Sequence, residues 1–268
     1  MTRVLHLAAM AGVVVFLAQA GTARAAATLE AEYLFNNTLA SDAGGAPALT
    51  VTDPQATSGF RTDTVFGNSQ TVYNFQSSSN TPSMQAGLTF DNSGNLITFN
   101  DYSVQMIFKL TERDGAWRRI LDVQNRQSDN GFYFDPSNRL DIFPVTASGP
   151  AYTTGTYVNV ALTVAPDNTV DAYLNGVLEL TTATTVMDIN NPQNVVNFFL
   201  DNVVGGGQGE WSPGNVAAIR LYNGVLTQDQ VNALNNITTP VAVPEPGSLA
   251  LLSSGLAGLA FIRRRRKT

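Results

Sequence analysis

Residues 156–177 read TYVNVALTVAPDNTVDAYLNGV, and this stretch decides the fold class. Apolar side chains occupy every second position across residues 158–164, and the alternation resumes across residues 170–174. Successive side chains of a strand point to opposite faces, so a period of two predicts two strands that each bury one face. Asn175-Gly176 tolerates positive φ and supplies a two-residue hairpin turn. The stretch therefore predicts antiparallel β-structure.

The same pattern extends outward along the chain. Many short strands separated by Asp-, Asn-, Pro- and Gly-rich turns favour a sandwich or a barrel. One short helix is predicted over residues 228–235, where Thr227 would be the N-cap and Gln230 would complete a capping box. Residues 40–70 are expected to form long surface connections. The other predicted strands are residues 29–35, 71–75, 88–90, 96–99, 104–110, 118–123, 132–134, 139–143, 195–200 and 216–222.

The N-terminus has the order of a secretory signal peptide. Residues 1–25 begin with Arg3, continue through an apolar stretch and end in the small-residue site Ala23-Arg24-Ala25. Cleavage is expected after Ala25, with Ala27 as the alternative. A retained membrane anchor is disfavoured because the apolar stretch is short for a span.

The C-terminus carries a second hydrophobic helix. Pro244-Glu245-Pro246 precedes the uncharged residues 247–262, which are followed by five basic residues at 263–267. The 16 uncharged residues would form a helix about 24 Å long. A membrane span usually needs ~20 residues, so this helix is somewhat short. The basic residues would stay on the cytoplasmic side. This predicts a marginal segment, suited to holding the chain in the inner membrane transiently.

Composition excludes several functions. All 21 acidic residues but only eight of the 15 basic ones lie between Glu30 and Glu245, so this part carries a formal net charge of −13. Such acidity disfavours nucleic-acid binding. The chain has no cysteine, and its one histidine, His6, lies in the signal peptide. Thiol chemistry, Ser-His-Asp hydrolysis and histidine-bound zinc are therefore excluded from the exported body.

The C-terminal pattern resembles a known protein-sorting signal. Pro244-Glu245-Pro246, the apolar segment and the basic cluster together resemble the PEP-CTERM sorting signal over residues 243–268. The resemblance implies cutting near the tripeptide by exosortase, a membrane protease-transpeptidase. It also implies a Gram-negative bacterium that makes exopolysaccharide, and placement on the outer surface or in the extracellular matrix. A generic C-terminal anchor is the alternative.

A second resemblance covers residues 28–238. The hairpin of residues 156–177 and the closing stretch AIRLYNGVLT at residues 218–227 are similar to signatures of laminin-G-like domains in the concanavalin-type superfamily. Asn159 stands where the family's hairpin usually has His, and Tyr157 where it usually has Trp. The resemblance implies an all-β protein, an antiparallel two-sheet jelly-roll sandwich with one short helix. It implies binding more often than catalysis.

The glycine-rich loop of residues 205–214 is the candidate sugar site. The ring of Trp211 could stack on a pyranose, while Gln208 and Glu210 hydrogen bond its hydroxyls, with Asn202 as a further ligand-binding candidate. The alternative is that Trp211 folds back onto the core and donates its N–H to a loop carbonyl.

Calcium is the one candidate cofactor, because this ion takes oxygen ligands from loops. The candidates are Asp201, Asp122 and Asp129, and Asp201 ranks first because it follows an apolar strand end. A site there is expected at the rim of the sandwich. The spacing fits no EF-hand loop, and ordinary turn chemistry is the alternative.

No catalytic residue is predicted. Glu112-Arg113-Asp114 is the nearest approach to the Glu-x-Asp-x-x-Glu motif of laminarinase-like hydrolases, but Trp117 replaces its third carboxylate. The sequence therefore predicts a non-catalytic module that binds exopolysaccharide or another glycan. A structural matrix protein without a ligand site and a glycan hydrolase are the alternatives.

Overall fold

A computed structural model describes residues 26–204 and 209–234. These residues form two antiparallel β-sheets and one short α-helix, which confirms the predicted all-β jelly-roll sandwich. The elements are β1 Thr28–Tyr33, β2 Thr50–Thr52, β3 Gly59–Val65, β4 Asn68–Phe75, β5 Gly87–Asp91, β6 Tyr102–Leu110, β7 Arg118–Asp122, β8 Gly131–Phe134, β9 Leu140–Phe143, β10 Thr146–Ser148, β11 Val158–Val164, β12 Thr169–Leu174, β13 Val177–Ala183, β14 Val195–Phe198, β15 Gly214–Asn223 and α1 Gln228–Ala233.

The strands divide into a sheet of eight and a sheet of seven. The eight-stranded sheet has the order β13-β12-β11-β6-β15-β4-β3, and β1 also pairs with β15. The seven-stranded sheet has the order β10-β9-β8-β7-β14-β5-β2. Alternate residues of both sheets enter one apolar core, as a period of two requires. The core therefore lies between the sheets, and the opposite face of each sheet is left for loops to cover.

The hairpin that decides the fold class forms as predicted. β11 pairs with β12 from Val160 opposite Leu174 to Val164 opposite Val170. Asn175 and Gly176 adopt positive φ and turn the chain from β12 into β13. The capping box at α1 is also present, with Gln230 N–H donating to the Thr227 side chain. Local sequence signals thus determine both features.

Two expectations about individual segments are wrong. Residues 40–70 contain β2, β3 and the start of β4, with a turn at Phe66-Gly67 in which both residues have positive φ. Residues 96–99 form no strand and contribute only an isolated bridge between Thr98 and Asp101. There the side chain of Asn92 bonds both the N–H and the C=O of Ile97, replacing a strand partner.

The hairpin of β3 and β4 folds over the outer face of the eight-stranded sheet. β4 pairs with β15 only at Gly214–Val216, because β1 takes the same edge of β15 from Ile219 onward. Val65 and Val72 pack in one buried cluster with Ile107, Ala217 and Ala218, which are outside the main core. This packing explains why the middle strands of that sheet are buried on both faces.

The predicted signal helix of residues 1–25 and the predicted C-terminal helix of residues 247–262 lie outside the described residues. Within residues 26–204 and 209–234, the one α-helix is too short and too polar to cross a bilayer.

Candidate functional site

The acidic candidate residues that the structure describes lie around one arginine, Arg119. Arg119 and Asp122 lie on β7, Asp129 lies in the loop that follows it, and Asp201 follows β14. Glu210, which precedes β15, completes the group. Sequence reasoning found the acidic members but not their arginine partner.

The cluster lies on the outward face of the seven-stranded sheet. Asp122 is directly opposite Asn197 of β14, which is opposite Thr89 of β5. Their side chains form a row, with Thr89 donating to Asn197 at 2.7 Å and Asn197 to Asp122 at 2.9 Å. The adjacent residues of these strands, Leu121 and Phe198 among them, belong to the core. The period of two therefore turns Asp122 and Asn197 away from the core.

The guanidinium of Arg119 is fully buried and hydrogen bonded. Its Nη1 donates to Asp122 Oδ1 at 3.1 Å, and its Nη2 donates to the carbonyl of Asp129 at 2.8 Å. The Tyr133 hydroxyl accepts a further bond, and the Tyr133 ring lies 4.7 Å from the Arg119 Cζ. A Cβ at Gly131 would lie 3.1 Å from the Leu121 carbonyl and 3.3 Å from Tyr133 Cε2, so glycine lets β7 and the Tyr133 ring pack closely beside the arginine.

The oxygens of the aspartates are already used. Asp122 accepts from the backbone N–H of Arg126 at 2.7 Å as well as from Asn197 and Arg119. Asp201 accepts from the backbone N–H groups of Asn202 at 2.6 Å and Glu210 at 2.9 Å. Both aspartates are buried. Their charges are therefore stabilised by protein donors and by the guanidinium, as buried carboxylates require.

The oxygens of Asp122 and Asp201 are engaged by protein donors, and calcium at Asp201, Asp122 and Asp129 stays a prediction. Calcium needs six to eight oxygens directed at one point, whereas the oxygens of Asp122 and Asp201 are directed at N–H groups and at Arg119. In the described part of the chain, no group of three or more acidic side chains is arranged to hold a metal. In this structure Arg119 supplies the positive charge beside Asp122 and Asp201, whereas Asp129 faces the guanidinium through its backbone carbonyl.

Glu210 is the most accessible acid in contact with the arginine. Its side chain is 22% exposed, and its Oε2 lies 3.7 Å from Arg119 Nη2. Burial, and then the charge of Asp201, raise the pKa of Glu210 to about 8. The Oε2 of Glu210 has no hydrogen-bond partner within the described residues. Burial and the neighbouring negative charge therefore favour the protonated form of the Glu210 carboxyl at neutral pH.

Trp211 is part of the packed structure. Its side chain is 7% exposed, and its Nε1 donates to Asn80 Oδ1 at 2.7 Å. The guanidinium of Arg113 lies 4.5 Å from the centre of its ring. A covered ring does not offer a face to a pyranose, so this placement favours the alternative of packing. The N–H partner is, however, a side chain and not the loop carbonyl that we expected.

The other sugar-site candidates are placed as follows. Asn202 is buried and donates to Asp129 Oδ1, so it braces the loop after β7. Gln208 lies outside the described residues, as do the sorting residues Pro244, Glu245 and Pro246.

Arg119 could have been found from the sequence. Arg118 and Arg119 start a strand whose next residues, Ile120 and Leu121, are apolar. When both faces of a strand are covered, its arginine side chains are buried. A buried arginine needs anionic partners. Which acids would reach it depends on two loops far apart in sequence, and no local pattern determines that.

The fold and the site define a class: a two-sheet jelly-roll domain with buried, internally neutralised charges. Residues 79–232, more than half of the chain, match the concanavalin A-like lectin/glucanases superfamily. The chain belongs to this superfamily, and the laminin-G-like resemblance is confirmed. Residues 242–266 match the PEP-CTERM protein-sorting motif, which implies export with processing by exosortase.

Solved structures support the fold. Domain 4 of AbnA, an extracellular GH43 arabinanase from Geobacillus stearothermophilus in complex with arabinotriose, is similar with a TM-score of 0.58 and 19% identity. The match covers 79% of this chain and 100% of that domain. Botulinum neurotoxin type C is similar with a TM-score of 0.55 and 15% identity over 80% of this chain. This chain spans 52% of that neurotoxin chain. A comparison with curated protein sequences finds no match.

Proposed function

We propose that this is an exported protein whose jelly-roll domain binds a glycan without transforming it. One observation carries the proposal: two of the three aspartates of the candidate site, Asp122 and Asp201, have their carboxylate oxygens engaged in a buried network around Arg119. Glycoside hydrolysis needs two carboxyl groups that both reach the sugar. Here Asp122 and Asp201 are fully buried, which leaves Glu210 without an accessible partner among them.

The similar structures are consistent with glycan binding. The arabinanase domain, which is matched over its whole length, is in complex with arabinotriose. The neurotoxin is described as entering cells through two ganglioside molecules. Both partners carry sugars, and we extend that partner class to this chain. The sorting motif supports placement on the outer surface or in an exopolysaccharide matrix, after transient anchoring in the inner membrane.

A glycan array together with a reducing-end assay tests the proposal. We expect the exported protein to bind a defined set of glycans and to release no new reducing ends from them. A blank array would favour the alternative of a structural matrix protein with no ligand site.

A hydrolase is the second candidate, because Glu210 has the raised pKa of a general acid. It would need Asp129, the exposed carboxylate of the cluster, as the second group. Release of reducing ends that Glu210→Gln abolishes would establish this function and remove the non-catalytic proposal.

A further inference from the structure

A cleft of about 410 Å³ lies between the loop after β5 and the loop before β14. We propose that this cleft binds uncharged sugar units of a glycan, an inference that rests on the proposed function and deepens it by naming the site and the ligand class. The residues on which the argument depends are Asn92, Asn95, Thr98, Phe99, Asn191 and Asn194.

The two loops are held in place before any ligand arrives. Asn92 N–H donates to the carbonyl of Asn194 at 2.9 Å, and Asn194 Nδ2 donates back to the carbonyl of Asn92 at 2.8 Å. Ile189 N–H donates to the carbonyl of Phe99 at 2.8 Å. Asn191 Nδ2 bonds the carbonyls of Val123 and Val195. Sites with a formed geometry lose less entropy on binding, so this bracing suits recognition.

Two polar groups at the cleft have no partner within the described residues. They are the Nδ2 of Asn95 and the hydroxyl of Thr98. The Nδ2 can donate, and a hydroxyl both donates and accepts. Sugar hydroxyls also donate and accept, so these groups can bond them in either sense.

Phe99 supplies the apolar contact. Its side chain is 54% exposed, although burial of an aromatic ring is strongly favourable. A ring beside amide and hydroxyl groups can cover the C–H face of a sugar while its hydroxyls are bonded at the sides. The exposed ring of Phe99, which the fold does not bury, could therefore be buried by a bound sugar.

The charge of the surroundings selects the ligand class. None of the residues that line the cleft is charged. Asp91 and Asp188 are the chain neighbours of the lining residues Asn92 and Ile189, and the domain as a whole is acidic. Negative charge near the cleft repels uronic acids and other anions, so neutral sugar units are preferred.

Calorimetric titration of the exported protein tests the inference. The probes are four neutral trisaccharides, namely arabinotriose, xylotriose, cellotriose and maltotriose, with trigalacturonate as the acidic probe. We expect at least one neutral probe to bind, and trigalacturonate to bind at least about tenfold more weakly.

Two variants locate the site. Phe99→Ala removes the exposed ring, and we expect binding to weaken about tenfold. Asn95→Asp keeps the bond from Asn194 and tolerates the positive φ of this position, but it removes the free donor. It should also weaken binding. Phe66→Ala is the matched control, since that ring is 47% exposed on the hairpin of β3 and β4.

The outcomes are distinct. If the wild type binds a sugar and neither Phe99→Ala nor Asn95→Asp weakens that binding, the cleft is not the sugar site, but the proposed function stands. Tighter binding of trigalacturonate, or binding of none of the neutral probes, would also contradict the inference that the cleft binds neutral sugars. If the glycan array is blank as well, the proposed function falls with it.

Discussion

At the scale of single residues, the positive charge of Arg119 stabilises the buried acids on the outward face of the seven-stranded sheet. Replacing it by Met would remove the guanidinium that faces the buried Asp122 and Asp201 and leave them with Arg126, whose charge also acts on both. We expect Arg119→Met to lower the free energy of unfolding by about 3–5 kcal/mol. Urea denaturation measures this difference.

The matched control for Arg119→Met is Arg139→Met. Arg139 pairs with Asp135 at 2.6 Å, but its side chain is 42% exposed, so its loss should destabilise the fold much less than the loss of Arg119. Equal effects of the two substitutions would show that Arg119 does not neutralise buried charge.

Glu210 should make stability depend on pH. Below its ordinary pKa of 4.5 the carboxyl is protonated in both the folded and the unfolded chain. Between pH 4.5 and about 8, unfolding releases the proton, so the free energy of unfolding falls as the pH rises. Glu210→Gln cannot ionise and should be more stable than the wild type at pH 8 but not at pH 4.

Urea denaturation at several pH values measures this effect. Glu112→Gln, at an exposed position, is the control and should keep the wild-type dependence. A Glu210→Gln protein that loses stability over this range as steeply as the wild type would contradict the raised pKa.

At the scale of elements, the hairpin of β3 and β4 is attached to the sheet beneath it by Asp63. Burial alone would raise the pKa of Asp63, but bonds from Lys109, Tyr157, Thr64 and Asn215 lower it to about 2. The resulting stabilisation is complete above the ordinary pKa of 3.8 and is lost as the pH falls through 2.

Asp63→Asn should therefore loosen the hairpin at neutral pH. Removing the charge weakens the Lys109 ion pair of 2.6 Å and the Tyr157 bond of 2.9 Å. We expect a loss of about 1–3 kcal/mol and faster hydrogen exchange at the amides of β3. Asp171→Asn is the control, because the Asp171 side chain accepts one bond, from the Thr181 hydroxyl, and an amide oxygen can accept it as well. Unchanged exchange in Asp63→Asn would refute this attachment.

Elements also show what the sequence could predict. The hairpin of β11 and β12 and the capping box of α1 were predictable because neighbouring residues determine them. β3 was missed because its sequence, GFRTDTV, has apolar side chains only near its two ends and so carries no strong apolar alternation. The predicted strand at residues 96–99 was wrong because Asn92 supplies its hydrogen bonds from a loop.

The candidate site was predictable only in part. An acidic group near Asp201 was expected and exists, since polar residues after buried strand ends tend to meet. The arginine at its centre and the cleft beside Phe99 depend on contacts between distant loops. A local pattern does not contain such contacts.

At the scale of the whole molecule, the sorting motif and the binding domain make separate predictions. Residues 242–266 match the PEP-CTERM motif. We expect mass spectrometry of the exported protein to find a C-terminus near Pro244–Pro246. Replacing all three residues of the tripeptide by Ala should keep the tail attached and the protein with the inner membrane.

The control for the tripeptide is Thr238→Ala with Thr239→Ala in the preceding spacer, which should be processed like the wild type. An exported protein that keeps its basic C-terminus, residues 263–267, would contradict this route.

Saturation-transfer NMR on the exported protein mixed with neutral trisaccharides tests the central claim, binding without turnover, most directly. We predict transfer of magnetisation from the protein to at least one sugar, whose own spectrum is unchanged after a day. The absence of transfer to any sugar, or the appearance of anomeric signals from shorter sugars, would contradict the account.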